Sequence, residues 1–311
     1  MIKVSAPGKI HLLGEHSSVY GKPAILTAIN KRMFVTLAPR SDKIICLSSK
    51  GVGEMKGLTE EKIIKQTEDS QRKWKKFIET NDISLLRSIT ENPLDYVIIA
   101  IGETLKFYNQ KFLSGFDLKI ESQIPEGAGL GTSAVTALVV AGAITLFLGK
   151  DFNRDIIYQI ACVIEHKKHG HISGGDISAP CFGKLVWFRT ETDDFRIILP
   201  LSFSIDKKLA ENFVLIDSGK PRESTGEMVG LVRKLQKENP NLLNKFLENQ
   251  EILVKNLLEV IKHSDEKEFI RIIRDGERNL ESIGVVSLFV KSIIRKIEKA
   301  GGAAKICGGG G

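Results

Sequence analysis

Four cysteines in 311 residues, Cys46, Cys162, Cys181 and Cys307, stand far apart, and no two form a CxxC pair. That scarcity excludes a disulfide framework and a thiolate-rich zinc site, and leaves isolated thiols that ordinarily behave as small buried hydrophobes. Long apolar runs are missing too: none approaches the roughly 18 residues of a membrane-spanning helix. The opening stretch, MIKVSAPGKIHLL, lacks the charged head, apolar block and small-residue cleavage site of a secretory signal, so the expected location is the cytoplasm. Nothing repeats at a period of roughly 20–50 residues, and no low-complexity linker interrupts the chain. Aromatic residues amount to 7% and do not interleave with basic side chains as on a base-stacking surface. The net charge of +7, from 45 Lys and Arg against 38 Asp and Glu, is spread along the chain. It points to small anionic ligands, with no nucleic acid and no membrane among the expected partners.

What is present is an ordinary globular balance, 42% hydrophobic and 27% charged, in a chain long enough for two lobes. Short apolar runs punctuated by Pro7, Gly8, Gly14 and Gly21 predict strands and tight loops at the start, and MFVTLAPR with KIICLSS reads as a hairpin. Residues 58–92 are charged and helix-favouring and predict a solvated helical excursion. ENPLDYVIIAIGETLKFYN predicts a helix entered at Pro93. FDLKIES alternates like a half-buried strand, SAVTALVVAGAITLFLG is apolar almost all round like a buried helix, and RDIIYQIACVIEHKKHG predicts a helix stopped by Gly170. GKLVWFRT and NFVLIDSG read as strands, and amphipathic helices dominate from about Ser224 onward. Strands gathered early and helices late predict an α+β fold with a boundary near residue 190, giving lobes 1–190 and 191–311.

Between FDLKIES and the buried helix lies PEGAGLGTSA, with Gly127, Gly129 and Gly131 at alternate positions before Thr132 and Ser133. Glycine costs backbone entropy, so three in five residues need a reason beyond a flexible turn. The order strand, glycine loop, helix places the first N–H groups and the positive end of a helix at the loop, which makes an anion site. Consecutive loop amides add a concave nest, and the two hydroxyls suit a phosphate or a magnesium ion. A P-loop is excluded because no lysine precedes Thr132, and a dinucleotide fingerprint because the third glycine comes one residue early.

Three segments together resemble the GHMP kinase superfamily. PEGAGLGTSAV is similar to its central nucleotide motif, Pro-x-x-x-Gly-Leu-Gly-Ser-Ser-Ala, with Thr132 in place of the first serine. APGKIHLLGEHSSVYGKPA is similar to its first motif and GGAAKICGGGG to its third. Within the superfamily, the first motif and IEHKKHGHISGGD resemble the mevalonate kinases, with Glu165, His169, Gly170, Ser173, Gly174 and Asp176 on the pattern. The chain departs from that pattern in three places. DSGKPRESTGEMV has one additional residue between Arg222 and Thr225, and its GKPREST leaves a phosphomevalonate-type acceptor open. Cys307 stands where Thr or Ser is usual. The chain stops at Gly311 inside the third motif, where the resemblance implies a further strand.

The resemblance implies a two-lobed α+β GHMP kinase fold, with an N-terminal lobe like ribosomal S5 domain 2 and a C-terminal ferredoxin-like, helical lobe. It implies ATP and Mg²⁺ as cofactors, mevalonate as substrate, and compatibility with a homodimer. Asp176 is then the catalytic carboxylate that accepts or orients the alcohol proton, and Lys9 keeps it ionised and stabilises developing charge. Pro125, Gly127, Ala128, Gly129, Leu130, Gly131, Thr132 and Ser133 hold the nucleotide. Ser133 and Glu165 hold the metal, a sparse set of the kind magnesium accepts. Glu15, His16 and Thr225 recognise the substrate. His166, His169 and His171 lack companion cysteines, so zinc is not expected. Alternatives are a kinase for phosphomevalonate, a sugar or homoserine, or a catalytically silent ATP-binding sensor. A sensor has no need of Lys9, Ser133, Glu165 and Asp176 together.

Overall fold

In the computed structural model, residues 1–192, 195–219, 221–223 and 225–311 are described, Thr225 by its backbone alone. The chain forms two units that interleave in sequence: Met1–Gly8, Asn30–Ile124 and Gly131–Cys181 make the first, and Lys9–Ile29, Pro125–Leu130 and Phe182–Gly311 the second. A single boundary near residue 190 does not describe this division. Strands β1 (Ile2–Leu13) and β2 (Ala24–Pro39) each run through residues of both units.

In the first unit, residues Met33 to Pro39 of β2 pair antiparallel with β5 (Phe116–Ser122). Strand β5 lies parallel to β3 (Ile45–Ser49), which turns back antiparallel into β4 (Gly53–Leu58). MFVTLAPR and KIICLSS are therefore not a hairpin, because β5 inserts between them and takes the hydrogen bonds of both. The alternation in FDLKIES decides its faces: Phe116, Leu118 and Ile120 are buried while Asp117 and Lys119 are exposed.

The charged excursion forms α1 (Glu60–Thr80) and α2 (Ile83–Arg87). Helix α3 (Pro93–Tyr108) starts where Pro93 and an Asn92–Asp95 capping box predict it. Helix α4 (Thr132–Phe147) is buried along Ala134, Val135 and Ala137 to Thr145, as its apolar circumference requires. Helix α5 (Arg154–His169) is capped by Asn153 and stops at Gly170, whose φ of 72° is open to glycine without strain. Helix α6 (Gly175–Phe182) follows.

In the second unit, Ala24 to Thr27 of β2 pair antiparallel with β6 (Leu185–Thr190), and β6 with β7 (Arg196–Pro200). After β7 the regular elements among the described residues are helices: α7 (Lys207–Ala210), α8 (Thr225–Glu238), α9 (Pro240–His263), α10 (Glu266–Ser282) and α11 (Leu288–Lys299). Their core gathers Met228, Val232, Leu243, Phe246, Leu280, Val285 and Ile294. Inside it, Asn279 donates to the Phe246 carbonyl and the Gln250 side chain, both at 2.9 Å. NFVLIDSG is not a strand: its described residues have no ladder partner, and Val214, Leu215 and Ile216 face solvent. Its Lys220 neighbour and Ser224 lie outside the described residues. No helix among the described residues is long and apolar enough to cross a membrane.

Candidate active site

The expected site residues divide between the units. Gly131, Thr132, Ser133, Glu165 and Asp176 belong to the first; Lys9, Glu15, His16, residues 125–130 and Thr225 belong to the second. Thr225 opens α8, and its side chain lies outside the described residues.

In the first unit, Gly131 takes a left-handed φ of 79° and starts α4 without any side-chain cap. The helix entrance is thus left to its own backbone donors, the arrangement that favours an anion. Ser133, on the first turn, donates its hydroxyl to Glu165 Oε2 at 3.3 Å and lies 3.1 Å from His169 Nε2. His169 Nε2 is also 3.7 Å from Glu165 Oε2, one helical turn along α5. The other oxygen of Glu165 accepts the hydroxyl of Tyr96. Burial raises the Tyr96 phenol well above its ordinary range and the Glu165 charge raises it further, so it serves as a donor. Glu165 itself is buried.

The end of α5 is held by α1. Trp74 Nε1 donates to the Gly170 carbonyl at 3.1 Å, and a Cβ at Gly170 would lie 2.3 Å from Phe77 Cε1. The other two histidines of this stretch are engaged locally. His166 Nδ1 is 2.8 Å from the Gly170 carbonyl, and the His171 ring packs on Phe77. Beneath them the Lys167 ammonium is enclosed by Glu103 at 3.5 Å, by Gln71 and by the Trp74 ring at 4.6 Å. Asp176 lies half-buried in the first turn of α6, where a carboxylate is electrostatically favoured. The turn before it is fixed by Tyr158, which donates to the Gly174 carbonyl at 3.2 Å, and by Ser173, which accepts from Gly175 N–H.

In the second unit, Gly127 and Gly129 take φ of 75° and 71°, and Ala128 between them is not among the residues of positive φ. This alternation is the backbone pattern of an anion nest. Open space surrounds Gly127, so conformation and not crowding is what selects glycine there. Lys9 N–H donates to the Leu130 carbonyl at 3.0 Å, tying the loop to β1, and the buried Lys9 ammonium is 3.3 Å from His11 Nδ1. A Cβ on Gly129 would lie 3.8 Å from the Cys307 carbonyl, so the loop and the C-terminal glycine run are neighbours.

That run is anchored by side chains from the first motif and from α10. His16, held at a left-handed φ of 59°, bonds through Nε2 to the Gly309 carbonyl at 2.9 Å. Burial lowers its basicity, although the carbonyl opposes this, so the imidazole is a neutral donor there. Glu15 Oε1 accepts from Lys305 Nζ, which also donates to the His11 and Ile306 carbonyls. Glu277 Oε2 accepts the Ile306 N–H at 3.1 Å. Glu15 alone bonds the ammonium, Glu277 feels its charge, and both Glu15 Oε2 and Glu277 Oε1 are buried without a partner. Burial raises the Glu15 carboxyl against the pull of Lys305, and pushes Glu277 up to about 7. Burial is the largest single influence on Lys305 and lowers it, but the Glu15 charge and hydrogen bond, with Cys307 and Glu277, together outweigh it and the net shift is upward.

The sequence reading assigned no role to Tyr96, Lys305 or Glu277, and none to His169 beyond its motif match. Lys305, a lone charge in GGAAKICGGGG, and Glu277, beside Gly276, are the signals that were available. Magnesium suits the first-unit group: a carboxylate oxygen and a hydroxyl already stand 3.3 Å apart at an uncapped helix entrance. Both are hard oxygen donors, and a sparse protein set leaves room for water and phosphate oxygens.

The model of the GHMP kinases N terminal domain matches residues 95–184. A mevalonate kinase of Pyrococcus horikoshii is 30% identical over 319 residues, covering 100% of this chain and 86% of its own length. The solved Methanococcus jannaschii mevalonate kinase superposes with a TM-score of 0.76 at 20% identity, over 100% of this chain and 88% of that one. The L. major mevalonate kinase, solved in complex with R-mevalonate, gives 0.69 at 19% identity, over 100% of this chain and 84% of that one. With the GHMP kinase fold and a full-length relative at this level, the chain belongs to the GHMP kinase family, on its mevalonate kinase branch.

Proposed function

We propose that the protein transfers the γ-phosphoryl group of ATP to the 5-hydroxyl of mevalonate, giving 5-phosphomevalonate for isoprenoid synthesis, in the cytoplasm. The observation that carries the reading is the Ser133–Glu165 pair at an uncapped helix entrance, reached through left-handed glycines. Phosphoryl transfer asks a protein chiefly to position groups and neutralise charge, and this pair would hold the cation that does the second. The amides of residues 127–133 hold the triphosphate. Ser133 Oγ and Glu165 Oε2 hold magnesium, which, when bound, offsets phosphate charge. Asp176 takes the proton from the attacking hydroxyl, and the Lys9 ammonium stabilises the charge that develops on the transferring group. Recognition of the substrate falls to His16 and Thr225, while Glu15 is engaged by Lys305.

The test is coupled ATP consumption by the full chain with mevalonate, phosphomevalonate, homoserine and galactose in parallel. Turnover is expected with mevalonate well above the others. Preference for phosphomevalonate would move the acceptor assignment. ATP binding with no turnover on any alcohol would replace the kinase by a sensor.

A further inference from the structure

We propose that Tyr96 is a positioning residue for the metal-binding carboxylate: its hydroxyl holds one oxygen of Glu165 and leaves the other for the ion. The inference rests on the magnesium role given above to Ser133 and Glu165.

The two oxygens of Glu165 have different surroundings. Oε1 is occupied by the Tyr96 hydroxyl, which comes from α3, 69 residues away in sequence. Oε2 faces the Ser133 hydroxyl at 3.3 Å and His169 Nε2 at 3.7 Å. A carboxylate free to turn about its last side-chain bond would offer an incoming cation either oxygen or both. Pinning Oε1 removes that freedom and makes Oε2 the single, preset ligand beside the hydroxyl. Pre-set ligand geometry of this kind is what outer partners supply in metal sites.

The helix that carries Tyr96 is fixed at its start, and the ring is covered from α5. Its helix begins with a closed capping box, Asn92 N–H to Asp95 at 3.0 Å and Leu94 N–H to Asn92 at 2.9 Å. Gln66 from α1 donates to the other oxygen of Asp95 at 2.8 Å, locking the first turn. The face of the Tyr96 ring is covered by the Lys168 ammonium, 4.9 Å from its centroid. Lys168 sits on α5 three residues after Glu165, so the helix that carries the carboxylate also clasps the ring that orients it. Phenylalanine would fill the same buried volume. The hydroxyl is the part that only the carboxylate explains.

The experiment compares the affinity of a non-hydrolysable ATP analogue with and without Mn²⁺, by calorimetry, for the parent chain, Tyr96→Phe and Glu165→Gln. Thermal melting is recorded alongside. Glu165→Gln is expected to abolish the affinity gained from Mn²⁺. Tyr96→Phe is expected to cut that gain about tenfold, the low end for loss of an outer partner of a metal ligand, while metal-free affinity stays within about twofold. If Tyr96→Phe keeps the full gain while Glu165→Gln loses it, the positioning role is overturned and the magnesium assignment stands. If Glu165→Gln also keeps the gain, both fall. A parent chain that shows the gain but does not phosphorylate mevalonate refutes only the choice of acceptor. Should Tyr96→Phe not fold, 3,5-difluorotyrosine at this position keeps size and hydroxyl but donates more strongly. The charge it withdraws from Glu165 should again weaken Mn²⁺ binding, and an unchanged gain overturns the proposal.

Discussion

Replacing Lys305 by methionine is the sharpest single perturbation of the second unit. The Lys305 and Glu15 side chains are 5% and 1% exposed, so neither charge can turn to water for compensation. Glu277 is fully buried, feels the charge of the same ammonium and has an unpartnered oxygen of its own. Removing the cation that bonds Glu15 leaves a buried carboxylate without its bonded counter-charge, a change that costs about 3–5 kcal/mol in comparable buried pairs. At the roughly 2–4 °C per kcal/mol found for domains of about 150–250 residues, Lys305→Met should melt on the order of 10 °C lower at pH 8. The orphaned Glu15 would then bind a proton more readily in the folded chain than in the unfolded one. The deficit should therefore shrink as pH falls from 8 towards 5. Adding Glu15→Gln to the same chain removes the stranded charge and should recover at least half of the lost stability. Melting curves of the parent, the two single variants and the double variant, each at pH 5.5 and 8, give the full cycle. A loss below about 1 kcal/mol in Lys305→Met, or a double variant less stable than the single, would refute the account.

Three further outcomes follow from the geometry. Glu277 titrates near 7 in the folded chain and at an ordinary carboxylate value when unfolded, so folding takes up a proton between about 4.5 and 7 and stability falls as pH rises through that window. The total is about 3 kcal/mol, and Glu277→Gln should flatten that slope in denaturation series run from pH 4.5 to 8. Gly170→Ala combines a φ of 72° with a Cβ 2.3 Å from Phe77, and should cost about 2 kcal/mol or more in a denaturant titration; equal stability would mean that α1 yields freely. Asp176→Asn should remove turnover in single-turnover assays while leaving ATP affinity nearly intact, and near-parent activity would remove it as the base.

Much of the local structure was legible because its causes are local. Asn92, Pro93 and Asp95 fix the start of α3, Gly170 fixes the end of α5, and the even apolar circumference of residues 132–147 buries α4. The glycine alternation was carried by short local spacing, and the pairing of Ser133 with Glu165, 32 residues apart, by the resemblance to a kinase family's motifs. What escaped depends on partners far away in sequence. That β5 would insert between β2 and β3, one neighbour antiparallel and one parallel, is decided by pairing across the sheet, which residue alternation alone does not encode. NFVLIDSG has the composition of a strand, but composition supplies no ladder partner. Tyr96 looks like one more core aromatic until Glu165 is placed against it, and Lys305 meets Glu15 across 290 residues.

The glycine run at residues 308–311 has no side chains with which to hold itself. Its backbone approaches so closely that a Cβ on Gly310 would lie 1.9 Å from the Val285 carbonyl, and Gly311 N–H donates to that same carbonyl at 3.2 Å. The order of the run is therefore on loan from His16 and Val285, with Ile306 just before it held by Glu277, each fixed elsewhere in the unit. In hydrogen exchange this would appear as a patchwork. The amides of Ile306 and Gly311 would be slow, those between them fast, and the slow pair would be released together by any change that loosens α10.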